Sequence, residues 1–151
     1  MIAMLTDDMK SIIAAYPLGF VASVNKDGTP NLSPKGTFVV LNDRQLVFGH
    51  IRSPGTVSNI AERPAIEINF LDVLARKAVR VRGRAQMFTR SAAEFASLFA
   101  ALSGWKGYTD IMKGVVRVDI EKASLVLSPA YDLGHTEAEL REQYKAKFAS
   151  L

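Results

Sequence analysis

The first half of the chain alternates between helical and strand-like spacing of its apolar residues. Thr6 can cap a helix whose apolar side chains recur at helical spacing, and Pro17 ends that helix. Strand-like runs then follow at 20–25, 31–41 and 45–48. The sequence KDGT at 26–29 predicts a hairpin turn, because Asp-Gly favours positive φ. Pro34 and Gly36 inside the second run indicate an edge strand, a bulge or a ligand close to the backbone.

The second half continues with short elements. A helix is predicted at 54–61, strands at 65–71, 77–87, 115–120 and 123–128, and capping boxes at Ser91 with Glu94 and at Thr136 with Glu139. The long strand at 77–87 places its arginines on one face and its apolar residues on the other. Strands in meander order with inserted helices predict a mainly β fold, an antiparallel split barrel of six to seven strands.

Length and composition predict one cytoplasmic domain. The 151 residues are 48% hydrophobic and 23% charged, with a formal net charge of +4. They divide into an N-terminal helix at 1–17, the barrel at 18–128 and a C-terminal loop and helix at 129–151. The charged start of the chain is unlike a secretory signal, and no apolar run approaches the roughly 20 residues of a membrane span.

The same composition excludes several kinds of chemistry. Without cysteine there is no disulfide, thiolate nucleophile, iron–sulfur cluster or cysteine-ligated zinc. His50 and His135 are the only histidines, so one chain cannot build a three-histidine metal site. The positive charge favours anionic partners without distinguishing a nucleotide cofactor from nucleic acid.

The segment LVFGHIRSPGTVSNIAER at 46–63 predicts an anion site. Ser53 is a good N-cap and Pro54 suits the first helical position, so free amides should face outward. Arg52 and the hydroxyl of Thr56 would add donors. Many helices nevertheless begin with Ser-Pro and bind nothing, so the preceding strands must supply further polar groups.

Four segments together give the chain a family resemblance: LGFVASVNKDGTPNLSPKGTF, LVFGHIRSPGTVSNI, RPAIEINFLD and KAVRVRGRAQMF. From about residue 1 to residue 128 it resembles the FMN-binding split barrels, the superfamily of pyridoxamine 5′-phosphate oxidase, and especially their small bacterial FMN-binding proteins. The resemblance implies a homodimer with flavin between the subunits. It assigns the flavin phosphate to Arg52, Ser53, Gly55 and Thr56, and the ring and ribityl chain to Ser33, Pro34, Lys35, Gly36, Thr37, His50 and Ile51.

Departures from the family pattern argue against pyridoxamine phosphate oxidation. The oxidase has a C-terminal tail with substrate-binding arginine and histidine, which SPAYDLGHTEAELREQYKAKFASL does not match, and Ala78 stands where the oxidase has a flavin-contacting glutamine. The prediction is therefore an FMN-dependent oxidoreductase for an unidentified small substrate, with NADH or NADPH as a possible electron donor. The alternative is a carrier or sensor for flavin, deazaflavin or haem without turnover.

Several side chains have two interpretations. Lys35 is either a cation near the flavin ring or a solvated lysine on an edge strand. His50 is either a ligand contact or a structural histidine that is hydrogen-bonded within the protein. The stripe of Arg80, Arg82 and Arg84 predicts a solvated face or an intersubunit ion-pair strip rather than a nucleic-acid surface, because no aromatic residues interleave with it. Trp105 and Tyr108 either cover the flavin from the partner subunit or pack locally, and the roles of Tyr131 and His135 stay open.

Overall fold

A computed structural model describes residues 4–151, and its framework is a seven-stranded antiparallel sheet. The strands are β1 (Gly19–Val24), β2 (Pro30–Lys35), β3 (Val39–Asn42), β4 (Gln45–His50), β5 (Ala65–Asp72), β6 (Lys77–Thr89) and β7 (Gly114–Leu127). The helices are α1 (Asp7–Ala15), α2 (Pro54–Glu62), α3 (Phe95–Ala100) and α4 (Glu137–Ala149), with short 3-10 helices at Thr109–Ile111 and Pro129–Tyr131. The mainly β split-barrel class with inserted helices is thereby confirmed.

The order of the strands in the sheet is β2-β1-β5-β6-β7-β4-β3. The predicted meander is wrong in two places, because β1 lies beside β5 and β4 lies beside β7. This order places β2 and β3 at opposite edges of the sheet, although only residues 36–38 separate them along the chain. The short connection therefore brings the two edges of the sheet together on one side of the barrel.

Local sequence signals explain the first elements. The hydroxyl of Thr6 accepts a hydrogen bond from the Met9 amide at 3.2 Å, as expected of an N-cap. The helix predicted within 1–17 is confirmed from Asp7 onward, while residues 1–3 lie outside the described part of the chain. Gly28 has φ of 86° in the predicted hairpin turn, which a glycine adopts without strain.

Two predicted strand boundaries are wrong. The run 31–41 is two strands, because the chain must leave one sheet edge after Lys35 and reach the opposite edge at Val39. The runs 115–120 and 123–128 form one strand, β7, whose pairing with β6 skips one residue at Glu121. A Cβ atom on Gly83 of β6 would lie 2.2 Å from the Asp119 carbonyl oxygen, so this bulge requires glycine opposite it.

Only one of the two predicted capping boxes forms. The hydroxyl of Ser91 lies 3.0 Å from that of Thr89, and α3 begins later, at Phe95. In the C-terminal helix the Thr136 hydroxyl accepts from the Glu139 amide at 3.2 Å, and the Glu139 carboxylate accepts from the Thr136 amide at 3.0 Å. The box at the start of α4 is therefore confirmed.

The core fills both the inside of the barrel and a space beneath α3. The inner face of β6 is buried at Val79, Val81 and Ala85, whereas its three arginines face solvent, as the alternation predicts. A second apolar cluster joins α3 to β4 and β7 through Val47, Phe88, Phe95, Leu98, Leu102, Met112 and Val115. No helix in residues 4–151 is long and apolar enough to cross a membrane.

The C-terminal segment docks on the turn between β5 and β6. Asp72, which is 1% exposed, accepts from Arg141 Nη2 at 2.6 Å and from the amides of Leu74 and Ala75. Burial alone would raise the pKa of Asp72, but hydrogen bonds from the Ala75 amide and Arg141 outweigh it and hold the pKa below its ordinary value. The Tyr131 hydroxyl donates to the Ala75 carbonyl at 2.6 Å and fixes the same turn.

Candidate functional site

Three polar side chains share the inner face of the edge strand β2. Its burial alternates, so that Asn31, Ser33 and Lys35 face inward while Leu32 and Pro34 face outward. Four residues of extended strand span about 13 Å, which separates the first of these side chains from the last. We call Asn31, Ser33 and Lys35 the β2 row; they provide hydrogen-bonding groups along one wall of a potential ligand site.

The turn at residues 50–56 runs beside the β2 row. At one end, the Thr37 hydroxyl accepts a hydrogen bond from the Gly49 amide at 2.9 Å. At the other end, a Cβ atom on Gly55 would lie 3.5 Å from Nδ2 of Asn31. These distances place the two ends of the segment near Thr37 and Asn31, and we call the region between β2 and residues 50–56 the candidate cleft.

Helix α2 opens into this cleft without closing its own N-terminus. Pro54 occupies the first turn as predicted, but Ser53 makes no capping hydrogen bond through its side chain to the described residues, so the predicted N-cap is wrong in this respect. Ser53 is nevertheless only 6% exposed. Within residues 4–151 no side chain caps the free amides of the first turn, and helix N-termini of this kind attract anions.

Two buried polar atoms at the cleft have no hydrogen-bond partner within residues 4–151. They are Oγ1 of Thr56, in the first turn of α2, and Nδ1 of His50, at the end of β4. Thr56 is 2% exposed and His50 is 9% exposed. Because unsatisfied buried polar groups destabilise a folded protein, these two atoms are candidate ligand contacts.

The lysine of the β2 row is buried. Lys35 is 7% exposed, and its Nζ donates to the Ser33 hydroxyl. Burial lowers the pKa of Lys35 below its ordinary value. The solvated-lysine interpretation is therefore wrong, and a ligand with a polar or partly anionic edge would stabilise the charged amine.

The surroundings of His50 disfavour its charged form. Burial lowers the pKa of His50, and the positive charges of Lys113 and Lys35 lower it further. A neutral imidazole has one nitrogen that donates and one that accepts or binds a metal. The interpretation of His50 as a hydrogen-bonded structural residue is not supported, because Nδ1 has no partner among the described residues.

The other predicted site residues are distributed around the cleft. Arg52 is exposed beside the start of α2, and Gly55 leaves that start open because it lacks a side chain. Gly36 lies in the connection to β3, where a Cβ atom would meet nothing within 4 Å. Ile51 packs against the cluster beneath α3, and Pro34 faces away from the β2 row, so neither side chain lies with the polar groups of the cleft.

The aromatic and C-terminal candidates lie elsewhere. Trp105 packs against the cluster beneath α3, which supports its local-packing interpretation within one chain, whereas Tyr108 is 52% exposed. Tyr131 belongs to the docked C-terminal segment, and His135 lies 3.9 Å from the Glu139 carboxylate. The arginine stripe forms ion pairs within the chain, since Glu67 lies 3.5 Å from Arg80 and 3.7 Å from Arg82.

Sequence reasoning missed three residues that support the cleft. Asn31 belongs to the β2 row, and the buried Asn59 of α2 donates to the Ser23 hydroxyl at 3.0 Å. Alternation along β2 could have identified Asn31, because it shares a face with Ser33 and Lys35. No local signal identifies the pairing of Ser23 with Asn59, since 36 residues separate them.

The arrangement fits FMN. The uncapped start of α2, with Arg52, Gly55 and the free Thr56 hydroxyl, suits a phosphate group. The β2 row and His50 line the rest of the cleft with donors that suit the heteroatoms of a ribityl chain and a flavin ring.

Comparison with known proteins agrees with the fold. The model of the pyridoxamine 5′-phosphate oxidase family matches residues 5–127, so the chain belongs to that family. None of the curated proteins matches the chain. The matched region ends before the docked C-terminal segment.

Solved structures share the fold. HupZ from Group A Streptococcus is 28% identical with a TM-score of 0.70, over 83% of this chain and 96% of that one. An FMN-binding protein from Syntrophomonas wolfei is 15% identical with a TM-score of 0.66, over 80% of this chain and 84% of that one. HutZ, a haem storage protein from Vibrio cholerae, is 19% identical with a TM-score of 0.61, over 82% of this chain and 94% of that one.

Proposed function

We propose that this protein binds FMN in the candidate cleft and uses it as an oxidoreductase acting on a small substrate. The observation that carries the proposal is the free Thr56 hydroxyl beside the uncapped start of α2, opposite the β2 row. Family membership and an FMN-binding neighbour support the choice of flavin over other anions. The flavin would supply the redox chemistry, and the protein would supply binding, orientation and electrostatics.

The chain's own residues have separable tasks in this proposal. Arg52, the first-turn amides of α2 and Thr56 hold the phosphate, while Ser33 and Lys35 orient the ring end. Charged Lys35 would stabilise an anionic reduced ring, because a cation favours negative charge nearby. Neutral His50 offers an uncharged contact to the ring or the substrate.

We further propose that the protein works as a cytoplasmic homodimer with the flavin at the subunit interface. The cleft is bordered by the edge strand β2, which has a sheet neighbour on one side only. A second subunit could therefore cover the exposed side of a bound ring. Sedimentation analysis with and without FMN tests this assembly, and a monomer at all concentrations would contradict it.

The first experiment is to purify the protein from cells and record its visible spectrum, followed by titration with FMN. We expect flavin absorbance or saturable uptake of FMN. Arg52→Ala should weaken FMN binding about 10- to 150-fold, because a charge-assisted hydrogen bond contributes roughly 1.5–3 kcal/mol. Arg44→Ala, which removes an exposed arginine from the β3–β4 turn, is the matched control and should leave the affinity unchanged.

Absence of both bound flavin and FMN uptake by wild-type protein would refute the cofactor assignment. Rapid mixing of the FMN complex with NADH or NADPH then separates an enzyme from a carrier. Fast reduction of the flavin supports an oxidoreductase, whereas a flavin that neither reductant reduces supports the carrier or sensor alternative.

A second candidate function is a haem carrier without turnover. It is favoured by the free Nδ1 of a buried, neutral His50, which is the form of imidazole that binds iron. HutZ provides an example of a haem storage protein with this fold. A haem absorbance band in the purified protein that is lost in His50→Ala would favour this alternative over flavin.

A further inference from the structure

A buried polar network joins α2 to the β1–β2 hairpin. The Nδ2 atom of Asn59 donates to the Ser23 hydroxyl at 3.0 Å and to Oδ1 of Asn25 at 2.9 Å. Ser23 is 2% exposed and Asn59 is 5% exposed. Hydrogen bonds in such a buried position are directional, so they restrict how the helix can rotate and slide on the sheet.

The Ser23 hydroxyl is shared between the helix and the β2 row. It also lies 3.4 Å from Nδ2 of Asn31, which sits opposite it in the β1–β2 register. Asn31 in turn borders Gly55 in the first turn of α2. One hydroxyl therefore connects the wall of the cleft to the helix whose N-terminus forms the other side.

The far end of the helix is fixed to the same strand. Nε of Arg63 donates to the Val24 carbonyl at 2.8 Å, and the Arg63 amide donates to the Asn59 carbonyl at 2.7 Å. Asn59 lies one turn beyond the free Thr56 and shares its buried side of α2. Rotation of the helix about its axis would move Asn59 and Thr56 together.

We propose that Ser23 and Asn59 are positioning residues for the anion site. Their hydrogen bond sets the rotation of α2 so that its first-turn amides and Thr56 face the β2 row. This inference rests on the proposed function, because it deepens the description of the same cleft. It adds to that function a pair of residues that contact no ligand and act through the helix they orient.

The test measures FMN binding and thermal stability of Asn59→Ala and Ser23→Ala in the full chain. We expect each variant to weaken FMN binding about 5- to 20-fold. Leu98→Ala is the control, since Leu98 packs in the cluster beneath α3 and its loss destabilises the protein without touching α2. Leu98→Ala should lower the melting temperature and leave FMN affinity within about twofold of wild type.

A double-mutant cycle with Arg52 distinguishes positioning from a structural role. In the Asn59→Ala background the helix start is misplaced, so Arg52→Ala should cost less than about threefold in affinity instead of 10- to 150-fold. Full additivity of the two changes would overturn the inference. If Asn59→Ala does not fold, Ser23→Ala replaces it in the double-mutant cycle with Arg52→Ala, because Ser23→Ala removes only one hydroxyl.

Hydrogen exchange of the protein without ligand gives a readout that does not depend on flavin. The amides of residues 57–58, where the backbone hydrogen bonds of α2 begin, should exchange faster in Asn59→Ala than in wild type or Leu98→Ala. If wild-type protein binds no FMN, the cofactor proposal fails independently of these variants. If it binds FMN while both variants retain wild-type affinity and exchange, the positioning role is wrong.

Discussion

Replacing Thr56 with valine should stabilise the protein without ligand while it weakens FMN binding. The hydroxyl is buried and has no hydrogen-bond partner in the part of the chain that the structure describes. Valine has nearly the same shape and a similar helix propensity, so the substitution removes a desolvated polar atom with little change in packing. Most substitutions at buried positions would have the opposite effect on stability.

The magnitude follows from the unsatisfied hydroxyl. An unsatisfied buried polar group costs about 1–3 kcal/mol, and we expect Thr56→Val to recover about 1 kcal/mol of the free energy of unfolding. For 151 residues the entropy of unfolding is about 0.3 kcal/mol/K, so the melting temperature should rise by about 3 °C. A lost hydrogen bond to a charged phosphate should weaken FMN binding at least about tenfold.

The assay combines calorimetry of the flavin-free protein with fluorescence titration of FMN. Thr37→Val is the matched control, because Thr37 is also buried but its hydroxyl accepts from the Gly49 amide. Thr37→Val should lower the melting temperature, since it leaves that amide without an acceptor. A lower melting temperature for Thr56→Val together with unchanged FMN affinity would refute the assignment of this hydroxyl to the ligand.

Three further substitutions test other parts of the structure. Arg141→Ala should reduce the free energy of unfolding by about 1.5 kcal/mol at pH 7. This is the lower end of the range for a hydrogen bond between charged groups, and we choose it because the Arg141 side chain is 35% exposed and solvent screens the pair. Folding lowers the pKa of Asp72, so the stability difference between wild type and Arg141→Ala should be complete above about pH 3.9. It should vanish as the pH falls through the folded-state pKa of Asp72. A difference that does not depend on pH, measured by chemical denaturation, would contradict the ion pair. Gly83→Ala should prevent folding or lower the free energy of unfolding by several kcal/mol, because the added Cβ atom would clash with the Asp119 carbonyl oxygen. Gly36→Ala should be tolerated, because its Cβ atom meets no other atom within 4 Å, and circular dichroism melting measures both effects. Asn31→Ala should weaken FMN binding about 3- to 10-fold by titration, and an unchanged affinity would remove Asn31 from the ligand-contacting residues.

Local patterns predicted most elements of this fold. The alternation along β6 was sufficient to place its arginines outside and its valines inside, and Asp27-Gly28 was sufficient to place the first hairpin turn. Errors arose where tertiary geometry decides. The split between β2 and β3 depends on their lying at opposite sheet edges, and the single strand β7 depends on a bulge opposite Gly83.

The candidate site was predicted in part for the same reason. The sequence indicates a helix start with Arg52 and Thr56, but it cannot show that Ser53 fails to cap that helix or that Nδ1 of His50 lacks a partner. These are properties of the folded neighbourhood. The buried pair of Ser23 and Asn59 depends on contacts between segments far apart in the chain, which spacing rules do not reach.

The position of β7 in the sheet also constrains the order in which the protein can assemble during synthesis. Among the strands of residues 4–151, the hairpin of β3 and β4 pairs with the rest of the sheet only through β7, which is made last. A nascent chain that has not yet released residues 114–119 from the ribosome can pair β1, β2, β5 and β6, but it cannot seat the β3–β4 hairpin in the sheet. Such late, long-range closure is intrinsically slow, so β4 and its terminal His50 reach their place in the sheet only near the end of folding.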